Sequence, residues 1–115
     1  MEPELKSIVT QYTNISAFSQ NQRECYHHLI FGSGLRKLAE EDGLFIPLTN
    51  KEHNMGHNTE KIHGNQAAEK LSKMLGQLAY EKEYYRSALE ALKETDKDSD
   101  PAREAFRERY GISYL

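Results

Sequence analysis

All five histidines of this 115-residue chain fall between positions 27 and 63: His27, His28, His53, His57 and His63. Imidazole is the commonest side-chain ligand for divalent metals and titrates near neutral pH, so the cluster points to metal binding, proton transfer or both. His27 and His28 adjoin an apolar, β-compatible run, and neighbours on a strand face opposite ways. One ring of the pair can then hold a cation while the other faces a substrate. Metal-assisted hydrolysis asks for that division, with ligands to fix the cation and a free imidazole to take a proton from water.

The elements that must position these rings are legible in the pattern. Glu24–Phe31 reads as a strand stopped by the turn Gly32-Ser33-Gly34. Leu35–Glu41 has helical spacing and is closed by Asp42-Gly43. Leu44–Leu48 is a second strand, with Pro47 placing it at a sheet edge or near a strand end. Thr49–Gly64 is a polar loop carrying three of the histidines. From Gln66 to about Lys93 the residues Ala67, Leu71, Met74, Leu75, Leu78, Tyr85, Leu89 and Leu92 recur at three- and four-residue steps, which predicts a long helix with Asn65 as its N-cap. Glu94–Asp100 is a solvated linker. Asp100-Pro101 opens a last helix that runs to Tyr110 and stops at Gly111. Residues 1–23 are polar and read as an extended arm or a short helix. The fold class expected is α+β, a small β-hairpin plus helix with a mostly helical C-terminal half.

Composition bounds the function. A chain of this length forms one small domain and buries about two-thirds of its unfolded surface. Hydrophobic residues make up 37% and charged residues 29%, with a mean hydropathy of −0.82. No apolar run approaches the roughly 18 residues of a membrane span. The N-terminus has no signal-peptide stretch, and the single Cys25 suits a reducing cytoplasm, the expected location. Net charge is −3, so contact with phosphates needs a local patch or a bound cation. Arg36 reads as a phosphate contact or a surface charge on the short helix. Lys51 and Lys61 flank the polar loop and could meet phosphates.

The arrangement of His27-His28, Leu44–Leu48, His53 and a further histidine before a helix resembles the ββα-metal (HNH) nuclease motif, with His53 twenty-five residues after His28. From Glu24 onward the chain is similar to small HNH-like proteins of phages and prophages, related to the phage recombination-enhancement nucleases. The residues that carry this likeness are His27-His28 with Gly32 and Arg36, Asp42-Gly43-Leu44, Pro47-Leu48-Thr49, His53, His63 with Asn65, and Tyr114-Leu115. The resemblance implies a metal-dependent DNA endonuclease with His28 as general base and His27, His53 and His63 as metal ligands. His57 and Cys25 are secondary ligand candidates. The cofactor implied is one divalent ion, zinc as bound, with magnesium or manganese able to support activity. The partners implied are DNA and either a second copy or phage recombination proteins. The asparagine of many HNH motifs falls near Gly43-Leu44, where this chain has none, and CxxC pairs are absent. The single domain would comprise an arm (1–23), a ββα-metal core (24–75) and a helical extension (76–115). The alternative function is a non-catalytic structural-zinc domain that binds protein or DNA.

Overall fold

The computed structural model describes residues 6–56, 61–91 and 101–115, with 84–91 as helical backbone. Two strands, β1 (Cys25–His28) and β2 (Phe45–Leu48), pair antiparallel. Cys25 lies opposite Leu48, Tyr26 opposite Pro47, His27 opposite Ile46 and His28 opposite Phe45. Helix α1 (Leu35–Glu41) fills the connection between them, and Gly43 turns the chain back with φ +75°. A Cβ there would stand 2.7 Å from the Lys6 carbonyl, so this turn accepts glycine alone. Proline is tolerated in β2 because position 47 turns its backbone polar groups away from β1, so the ladder does not need the missing N–H, and the outward carbonyl accepts the Ala17 N–H at 2.9 Å.

Two expectations need correction here. Residues 6–23 form neither an extended arm nor a helix. They fold over β2 as an irregular hairpin, bridged at Ile15 and Gln22, with the Ser7 hydroxyl donating to the Phe45 carbonyl at 2.7 Å. Covered by this segment on one side, β2 is buried at every position, as its uninterrupted apolar sequence requires. The polar stretch after β2 is also not all loop: Lys51–Met55 forms one π-helical turn. The strands are shorter than the apolar runs suggested: beyond His28 and Phe45 the pairing continues only as the Leu29 N–H donating to the Leu44 carbonyl at 2.9 Å, and Leu29, Ile30 and Leu44 are buried in the core.

Helix α2 (Gln66–Ala91) begins where expected, with the Asn65 Oδ1 accepting the Ala68 N–H at 3.2 Å. Its apolar stripe does not face the core. Leu71, Leu75 and Leu78 are exposed, whereas Ser72, Gly76, Gln77 and Glu81 are buried. Gly76 explains the inversion, because a Cβ at that position would come within 2.8 Å of Ile30 and 3.0 Å of Leu29. The small face lets the helix press directly against the end of β1.

Helix α3 (Pro101–Tyr110) closes the larger core cluster of Ile30, Ala39, Leu44, Phe106 and Tyr110. Tyr80 packs edge-on against Phe106 at 5.5 Å, and Phe106 stacks on Tyr110 at 4.5 Å. The Tyr110 hydroxyl and Arg109 Nε both donate to the Asp42 Oδ2, at 2.7 and 2.6 Å, tying α3 to the end of α1. Buried Gln77 accepts the Tyr114 N–H at 2.6 Å and so seats the C-terminal tail. A second cluster, Leu29, Ile46, Leu48 and Ile62, lies under the histidine-bearing loop. The expected linker 94–100 and the Asp100 cap lie outside the described residues. Among the described residues, no helix is long and apolar enough to cross a membrane.

Candidate metal centre

The hairpin turns its adjacent histidines to opposite sides. His27 faces the loop that follows β2. Two backbone rungs bring that loop to it, the Ile62 N–H donating to the Glu52 carbonyl at 2.8 Å and the His63 N–H to the His53 carbonyl at 3.0 Å. These rungs set His53 beside His63, with ring centroids 4.7 Å apart. Both rings meet His27, at 5.2 and 5.1 Å. The three imidazoles offer ligand nitrogens that all lie within 4.8 Å of one another. Phe31 walls the group, 4.7 Å from His63.

Hydrogen bonding fixes which nitrogen His27 offers. The Ser72 hydroxyl donates its only proton to the Leu29 carbonyl at 2.8 Å, so it must accept from His27 Nε2, 2.7 Å away. The ring therefore carries its proton on Nε2 and its lone pair on Nδ1. That Nδ1 is buried and has no hydrogen-bond partner among the described residues. A buried acceptor left without a partner costs free energy, and a cation between the rings would satisfy it. Burial, and then the charges of His53, His63 and His28, push the His27 pKa down to about 3, so the ring is neutral at pH 7. Burial likewise lowers the His53 pKa, helped by the charges of His63, His28 and Arg36. His63 Nδ1 sits 3.5 Å from the Glu69 carboxylate, the outer contact that orients many metal-binding imidazoles, which leaves Nε2 to face inward. Three imidazole nitrogens, with His27 oriented by a hydroxyl and His63 beside a carboxylate, form a donor set suited to zinc and related divalent ions.

His28 lies on the other side of β1, against α1. Arg36 Nε donates to its Nδ1 at 3.3 Å, so its proton resides on Nε2, which faces the Glu40 Oε1 at 3.2 Å. Burial is the largest influence on this ring and lowers its pKa. Arg36, Lys37, Glu40 and Gly34 line a cavity of about 410 Å³.

The remaining site candidates divide. Cys25 is not part of the histidine group; its thiol faces the Leu48 and Thr49 carbonyls at 3.6 and 3.8 Å, and burial raises its pKa. Lys51 stands exposed on the π-helical turn. Lys61 is half-buried beside Gly64, the residue after His63. His57 lies outside the described residues. Sequence reasoning missed Ser72, Glu69 and Glu40, because a serine or glutamate on a helix carries no local sign of a histidine many residues away. It also missed the anchor of the π-helical turn, where the Glu52 carboxylate accepts from the buried Ser16 hydroxyl at 2.5 Å and from the Thr49 N–H at 2.9 Å. No family model, curated protein or solved structure matches the chain.

Proposed function

We propose that this protein is a metal-dependent DNA endonuclease of the ββα-metal (HNH) type, which holds one divalent cation on His27, His53 and His63. The observation that carries the reading is the buried, unpartnered Nδ1 of His27 in a ring that meets both His53 and His63, the three offering ligand nitrogens within 4.8 Å of one another. Three protein nitrogen donors are the share that catalytic zinc sites supply, with the fourth position going to water or substrate, whereas structural sites are closed by four protein ligands. When bound, the cation would polarise a phosphoryl oxygen and stabilise the departing oxygen.

The chain's own residues supply the proton chemistry. His28 is the general base. Its Nδ1 lone pair is held by Arg36 in the free protein, and Arg36 releases it by turning to a substrate phosphate, which offers the guanidinium a stronger, charged acceptor. His28 then takes a proton from water at Nδ1, while Glu40 keeps Nε2–H oriented and balances the imidazolium that forms. The test is elemental analysis with a chelator control, followed by cleavage assays on single- and double-stranded DNA with Mg, Mn, Ni and Zn. One divalent ion per chain and metal-dependent cleavage are expected. A protein that takes up no divalent ion at neutral pH is not such a nuclease. Metal uptake with no cleavage under any of these ions favours the structural-zinc reading instead.

A further inference from the structure

A second feature borders the π-helical turn on the side of the N-terminal segment. Asn21, Gln22, Arg23 and Glu24 form one wall of a cleft of about 840 Å³, and Thr49, Asn50, Lys51 and Met55 form the other. Arg23 is held in place there, its guanidinium 4.3 Å above the Tyr26 ring. Its Nε is buried without a hydrogen-bond partner among the described residues. No ion pair is formed by Arg23 or Lys51 among the described residues. The one acid in the cleft, Glu24, is already engaged by the Asn50 N–H at 3.0 Å. Two cations with no ion-pair partner among the described residues, set among amide and hydroxyl side chains, recognise a phosphodiester backbone and carry no code for base sequence. The π-helical turn that gives Lys51 and Met55 to this cleft gives His53 to the histidine cluster.

We infer that the cleft between residues 21–24 and 49–55 is the track for the DNA backbone flanking the scissile phosphate, with Arg23 and Lys51 each holding a phosphate. The inference rests on the nuclease reading for its substrate, but binding in the cleft does not depend on the cation. A fluorescein-labelled 20-mer DNA, titrated with the full chain in EDTA and followed by anisotropy, measures it without hydrolysis. Arg23→Gln and Lys51→Gln should each weaken binding about 5- to 10-fold at low salt. Each should also reduce the slope of log K against log salt by about one. Arg23→Lys keeps the charge and should retain the wild-type slope, which separates phosphate contact from loss of the Tyr26 packing. An unchanged slope in both Gln variants, or no DNA binding by the wild-type chain, overturns the assignment. Metal content, measured in parallel, distinguishes the two readings. Normal uptake with an unchanged slope removes the cleft alone, and absent uptake with the expected slopes removes the nuclease reading and keeps the cleft.

Discussion

Ser72→Ala tests the orientation of the cluster without touching a ligand. The hydroxyl is buried and does two things, donating to the Leu29 carbonyl at 2.8 Å and accepting from His27 Nε2 at 2.7 Å. Its removal leaves one buried acceptor and one buried donor without partners, each worth about 1–3 kcal/mol. The apoprotein should lose about 2–6 kcal/mol of stability, read by urea denaturation. The tautomer that keeps the Nδ1 lone pair inward also loses its support, and loss of such an outer contact lowers metal affinity about 10- to 100-fold. Competition against a chromogenic zinc chelator measures that second effect. Gln77→Ala is the control, since buried Gln77 on the same helix anchors the tail at Tyr114 and touches no histidine. It should destabilise the fold and leave zinc affinity unchanged. If Ser72→Ala is destabilised yet binds zinc as tightly as the wild type, the hydroxyl does not set the His27 tautomer and the argument from Nδ1 is refuted.

Three further outcomes follow from the same geometry. His28→Ala should abolish cleavage and spare metal content, whereas His27→Ala, His53→Ala and His63→Ala should each lower metal occupancy; equal metal loss in all four would remove His28 from the role of base. The apoprotein should lose stability as pH falls below about 6.5. There the unfolded chain protonates His27 while the folded ring stays neutral to about 3, a slope of up to about 1.4 kcal/mol per pH unit. The lowered His53 and His28 rings act in the same direction, so urea midpoints that stay flat from pH 6.5 to 4.5 would contradict the burial of these rings. Gly43→Ala should cost about 2–4 kcal/mol, because the new Cβ meets the Lys6 carbonyl at a positive φ; a midpoint within error of the wild type would show that residues 6–8 are not docked on this turn.

Sequence alone determined the element order, because each element carries its own local signal. Leu35–Glu41 is bounded by glycines, α2 starts at an asparagine cap, and α3 stops at Gly111. It also determined that His27 and His28 face opposite ways, since side chains alternate along any strand. The resemblance named His27, His53 and His63 as one ligand set, but the residue pattern did not show how the loop brings them together. Two backbone rungs across a stretch with no periodic signal bring His53 and His63 together. The face that α2 buries was likewise decided only in three dimensions. Its leucine spacing predicts an inward stripe, yet close contact at Gly76 outweighs it and turns Ser72 toward His27. The N-terminal segment has too few apolar residues to announce a packed structure. Its order comes from β2, which offers the Phe45 and Pro47 carbonyls as hydrogen-bond acceptors that no local pattern could anticipate.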